Sequence, residues 1–185
     1  CEGLCTSRII SYMEQGERYP ELMLRDRLSA RLGIDPDDYS QLLDCQEYDQ
    51  WLARQTAVHQ LFRDNMPEAA EALRKYEAGC NREDPLERQF CLGMKFQIRR
   101  REHAPEKELA ELCRQAAEQT MKNVTMQNLY RKALSLQEIN LLMEKELYRA
   151  EGRRSRFFLA VIDYLETHRL DEANRAKIYP KAVLY

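Results

Sequence analysis

The chain has 185 residues, 44% apolar and 32% charged, enough for one sizeable core or two small ones. Lys and Arg number 29 against 31 Asp and Glu, a net charge of −2, so a nucleic-acid role would have to come from a local surface and not from bulk charge. Six Gly and six Pro are few for a loop-rich or all-β chain, and no run approaches the ~18 apolar residues of a membrane span.

Helix signals follow one another along the chain. Thr6 or Ser7 can cap a helix over Ser7 to Gln15, and Gly16 supplies its left-handed exit. This helix turns Ile9, Ile10 and Met13 inward and Ser7, Arg8, Ser11 and Tyr12 outward. Pro20 opens a second helix that carries Leu22, Met23, Leu28 and Leu32 toward a core and closes at Gly33. Asp35-Pro36-Asp37-Asp38 signals a further start, with a helical pattern to about Asp44. The next spans Glu47 to Asp64, with Trp51, Leu52, Val58, Leu61 and Phe62 as its apolar residues. Met66-Pro67-Glu68 restarts the chain into a helix ending near Gly79.

Pro85 then opens a helix that ends in Arg99-Arg100-Arg101, and Pro105-Glu106 opens its partner. Pro67 and Pro105 are 38 positions apart (105 − 67), within the period of helical solenoids. Ser135-Leu136-Gln137-Glu138 is a capping box. It starts a third hairpin with Ile139, Leu142, Met143 and Leu147 inward, a turn at Gly152 and Arg153, and a return face of Phe157, Phe158, Val161, Ile162 and Leu165. Leu170 to Tyr185 begins another helix whose apolar ending suggests a cut chain or a partner. Alternation of period two never persists, so the expected class is all-α: a partial helix-turn-helix followed by an α-α superhelix of hairpins.

The chemistry-bearing residues are sparse. Of six cysteines, Cys45, Cys91 and Cys113 lie in helical patterns as small hydrophobes, and Cys1 and Cys5 have no nearby His to make a zinc site. A reducing cytoplasm is the simpler reading. His59, read as partly buried, His103 and His168 are isolated. There is no Cys–His dyad, no Ser/His/Asp order and no glycine-rich phosphate loop, so no catalytic residue, metal or cofactor is expected.

Gly3-Leu4-Cys5 as a turn, Thr6 to Glu14 as a helix, and Gln15-Gly16-Glu17-Arg18-Tyr19-Pro20 as an exit resemble the recognition helix of the XRE-type helix-turn-helix family. The resemblance implies DNA contacts from Thr6, Ser7, Arg8, Ser11, Tyr12 and Arg18. Side chains at the start of a helix laid in the major groove reach base edges, and Arg8 could hold guanine in a bidentate pair. It also implies that the family's first two helices precede Cys1.

The downstream hairpins resemble tetratricopeptide-type repeats, with Leu92-Gly93-Met94-Lys95-Phe96 matching that family's L-G-x-x-Y pattern. The order of the two parts is that of Rgg/PlcR-type regulators. The expected division is a partial head over 1–33, a connecting helix over 34–45 and a repeat domain over 46–185. The resemblance implies a cytoplasmic homodimer, without membrane contact, whose repeats sense a peptide or protein effector. Arg63, Gln97, Arg100 and Asn140 are the effector-binding candidates by position, Asn140 because an amide can donate and accept at once. The alternative is a protein-interaction scaffold that does not bind DNA.

Overall fold

A computed structural model describes residues 2–34, 45–148, 151–167 and 172–184, with backbone alone for 45–47, 151–153 and 172–175. Every regular element among the described residues is helical. They are α1 (Ser7–Glu14), α2 (Leu22–Arg31), α3 (Cys45–Phe62), α4 (Met66–Gly79), α5 (Pro85–Arg101), α6 (Glu106–Thr120), α7 (Leu136–Leu147), α8 (Glu151–Thr167) and α9 (Glu172–Leu184). A 3-10 turn, Leu129–Arg131, interrupts the link between α6 and α7. None of the described helices is long and apolar enough to cross a membrane. The helix expected over Asp35 to Asp44 lies outside the described residues.

The chain forms two compact units, one of Tyr39–Gln119 and one of Cys1–Asp38 with Thr120–Tyr185. These units are drawn along a different line from the sequence-based division: residues 120–185 group with the N-terminal segment and not with residues 46–119.

In the Tyr39–Gln119 unit, proline and capping residues set the helix starts. Pro67 sits in the first turn of α4 and Pro85 in that of α5, where a missing amide costs nothing. The Asp84 carboxylate accepts from the Leu86 amide at 2.8 Å. α3 packs on α4 and α5, and α4 on α5. Their shared core comprises Ala57, Leu61, Ala69, Ala72, Leu73, Tyr76, Cys91, Met94 and Ile98. The Tyr76 and Phe90 rings meet edge to face at 5.1 Å.

The basic run at the end of α5 is divided among three tasks. Arg99 pairs with Glu102 and Glu108 at 2.6 Å each, the second of these on α6. Arg100 donates to Gln97 at 2.8 Å. Arg101 donates to the Leu61 carbonyl at 2.6 Å, closing an orphan acceptor at the end of α3.

In the second unit α8 packs on α7, α9 and the 3-10 turn, and α7 on α9. The inward set on α7 and α8 follows the expectation, with Ile139, Leu142, Met143, Phe157, Phe158, Val161 and Leu165 buried and Leu147 and Ile162 half-buried. Ser135 caps α7 in a complete capping box with Glu138. Tyr164 ties α8 to the chain before α7, accepting from the Leu134 amide at 2.9 Å and donating to the Lys132 carbonyl at 2.8 Å.

Three local expectations are corrected, and two apolar residues of α3 face solvent. Gly152 and Arg153 lie inside α8 and make no turn. Leu32 is 72% exposed, because α2 ends at Arg31 and the chain reverses at Gly33, which has φ +75°. Phe62, at the end of α3, is 79% exposed, and Leu52 is exposed as well. His59 is exposed and not partly buried.

Candidate functional site

The first candidate site is α1. The Thr6 hydroxyl accepts from the Ile9 amide at 3.4 Å, which starts the helix. Gly16, at φ +72°, ends it, and the Glu17 amide folds back onto the Tyr12 carbonyl at 2.9 Å. Ser7, Arg8, Ser11 and Tyr12 lie on α1, Thr6 caps it and Arg18 follows its exit. Thr6, Ser7, Arg8 and Arg18 are exposed, and Ser11 and Tyr12 are half-buried. Arg8 lies along Tyr12, donating from Nε to the phenol oxygen at 2.8 Å with its guanidinium 5.4 Å from the ring centroid. That geometry fixes the arginine and leaves both Nη groups available. The Ser11 hydroxyl accepts from Gln15 at 3.3 Å.

What holds this segment is polar. Gly3, at φ +77°, packs so tightly on Thr120 that a Cβ there would lie 2.1 Å from the Thr120 carbonyl oxygen. Glu2 pairs with Lys132 at 2.5 Å. Arg31 grips both oxygens of Glu138, at 2.6 and 2.9 Å, and donates to the Glu2 carbonyl at 2.8 Å. Arg27 lies 3.4 Å from the same carboxylate and donates to Gln137 at 3.1 Å. Thr120 and Ser135 donate to Glu138 as well, at 2.9 and 3.0 Å.

Burial alone would raise the Glu138 carboxyl. The hydrogen bonds from Arg31, the charges of Arg27 and Arg31 and the Ser135 amide outweigh it and hold the group at about 2. The sequence displayed Glu138 as a capping residue and gave no sign of the two arginines.

The four effector-binding candidates divide between the two units. Arg63 is exposed beyond the end of α3. Gln97 and Arg100 bond to each other on α5. Asn140 belongs to the other unit, where it donates to the Leu136 carbonyl at 3.1 Å and accepts from Lys181 at 3.1 Å.

None of the four borders the cavity that the Tyr39–Gln119 unit contains. That cavity, of about 420 Å³, is lined by residues from the end of α4, from the turn that follows, and from α5 and α6. Cys80 and Cys91 sit together in its wall. Arg82, Arg88 and Lys95 also border it, and Lys95 is paired with Glu77 at 2.5 Å. The two cysteines fall on either side of a turn, and nothing in their spacing announces the contact. No group of three or more His, Cys, Asp or Glu among the described residues could hold a metal ion.

In comparisons with known proteins, no family model, no curated protein and no solved structure matches the chain.

Proposed function

We propose that the chain is the regulatory portion of a DNA-binding transcription factor, a cytoplasmic homodimer whose α1 reads the major groove and whose downstream helices sense a peptide or protein effector. The observation that carries this reading is the accessibility of α1. Its capped N-terminal turn presents Ser7 and Arg8 outward, and Tyr12 orients Arg8 while its Nη groups stay open. A preset guanidinium is the group that holds guanine O6 and N7. Effector binding would act by favouring one of two arrangements of the paired reading heads.

The test is selection of bound duplexes from a random-sequence library by the full-length protein, with its complete helix-turn-helix, at low salt, followed by anisotropy titration of the enriched duplex. Replacing Arg8 by Ala is expected to relax preference at one base position and to cost about 1–3 kcal/mol there. A library that yields no enriched sequence, or a variant with unchanged preference, refutes the proposal.

A second reading has its own support. Tyr48, Leu52 and Phe62 are exposed and fall on one side of α3 by helical spacing. Such a stripe suits a protein-interaction scaffold. Under that reading Leu52→Ser with Phe62→Ser abolishes self-association or partner capture, while no duplex is selected.

A further inference from the structure

The cavity of the Tyr39–Gln119 unit brings together two kinds of group that are each informative. The first is a pair of thiols. Cys80 and Cys91 both line the cavity wall, and Cys80 donates to the Glu77 carbonyl at 3.6 Å. Two neighbouring thiols can close a disulfide when their Cβ atoms come within about 3.5–4.5 Å. Cys80 is half-buried at the end of α4, with extended backbone (φ −79°, ψ 154°), whereas Cys91 is held inside α5 with 6% exposure. One thiol is therefore the more accessible, and its neighbour is the more enclosed.

The second kind of group is cationic. Arg82 and Arg88 border the same cavity, both are exposed, and neither pairs with a carboxylate among the described residues. A volume of about 420 Å³ lies within the usual range for small-molecule sites.

We propose that this cavity is a thiol–disulfide exchange site for a carboxylate-bearing low-molecular-weight disulfide, with Arg82 and Arg88 seating the anion, Cys80 as nucleophile and Cys91 as the resolving thiol. Cys80 gives its proton to solvent and its sulfur bonds to one sulfur of the bound disulfide. The small S–S bond breaks, and the first small thiolate leaves and takes up a proton. Cys91 then attacks the Cys80 sulfur and displaces the second small thiol. Two protein thiols and one small disulfide become one Cys80–Cys91 disulfide and two small thiols, a two-electron transfer balanced within the named reactants.

The seat matters because the thiols are not reactive by acidity. Burial, with the nearby Glu87 charge, pushes the Cys80 thiol up, and burial pushes Cys91 up to about 12. Thiolate is scarce near neutral pH, so an oxidant meeting the pair at random reacts slowly. An anion held on Arg82 and Arg88 acts at a much higher effective concentration. Discrimination by charge is the signature that separates this proposal from adventitious oxidation of two neighbouring cysteines. The inference is independent of DNA reading by α1.

The experiment exposes the reduced full chain to equal concentrations of oxidised glutathione (anionic), hydroxyethyl disulfide (neutral) and cystamine (cationic). Aliquots are alkylated over time and mapped by peptide mass spectrometry. The expected result is a Cys80–Cys91 bridge that forms about tenfold faster with oxidised glutathione than with cystamine. Replacing Arg82 and Arg88 together by Ser, at exposed positions, brings the two rates within about twofold. Cys91→Ser accumulates a single glutathionyl adduct on Cys80. Rates indifferent to reagent charge, faster reaction with cystamine, or first modification at Cys5 or Cys113 would overturn the proposal.

Discussion

Glu138→Gln separates charge from shape at the most buried ion pair among the described residues. Glutamine keeps an oxygen for the Ser135 amide and is itself a good third-position residue for a capping box, so the start of α7 survives. What is lost is the anion between Arg27 and Arg31, whose side chains are only 8% exposed. Stranding buried cations in this way costs about 3–5 kcal/mol. Titration leads to a similar magnitude. The Glu138 carboxyl is held at about 2 against an ordinary 4.5, and that gap corresponds to roughly 3 kcal/mol.

The unfolded chain binds this proton more readily than the folded one. The stabilisation is therefore complete above about pH 5 and is lost as the pH falls toward 2, with roughly 2 kcal/mol gone by pH 3. Hydrogen exchange read on peptides covering α2 and α7, corrected for intrinsic rates, measures it locally. Wild-type protection is expected to fall about thirtyfold between pH 6 and pH 3. The Gln variant is expected to start at least a hundredfold lower and to lack that fall. A variant with wild-type protection, or a wild type flat across this range, would refute the reasoning.

Three further substitutions test the packing. Gly3→Ala combines a left-handed φ with a Cβ driven into the Thr120 carbonyl, and thermal unfolding is expected to register a loss of more than about 1 kcal/mol. Gly93→Ala is expected to stabilise by about 0.5–1 kcal/mol in urea titration, because Gly93 lies inside α5 and nothing stands within 4 Å of the added carbon. Tyr164→Phe strands the buried Leu134 amide and should cost about 1–3 kcal/mol, with exchange protection lost first at the start of α7.

The parts of the fold written in local chemistry were legible in the sequence. Thr6, Gly16, Pro67, Pro85 and the Ser135–Glu138 box each act within a few residues, and each marks a real helix boundary. Apolar spacing also gave the buried faces of α7 and α8. It failed at Leu32, where the helix ended early, and period alone could not say that Leu52 and Phe62 face solvent. A glycine was read as a turn at Gly152, yet one glycine inside a long helical run costs only about 1 kcal/mol and does not break it. That Ser7, Arg8, Ser11 and Tyr12 share one short helix was legible from its caps. Glu138 and Arg31, separated by 107 positions, were not, and neither was the thiol pair, which depends on how α4 meets α5.

The ion pairs also bear on the proposal that α1 reads DNA. Of the five arginines between Glu2 and Ile34, Arg25 pairs with Asp26 at 2.9 Å, and Arg27 and Arg31 are committed to Glu138. Arg8 and Arg18 remain, against the acids Glu14, Glu17 and Glu21 of the same segment, so the local balance is 2 − 3 = −1. Counterion release by two cations predicts a slope of log K against log salt near −1.8 per head, and about twice that for a dimer. Under the proposed DNA-reading role such an interface would have little non-specific attraction, and a preference for one sequence would have to come from base contacts such as that proposed for Arg8. Anisotropy titrations across salt concentrations measure the slope directly. A slope steeper than about −6 would mean that phosphates are neutralised by a surface other than α1, and would remove this helix from the role of principal reader.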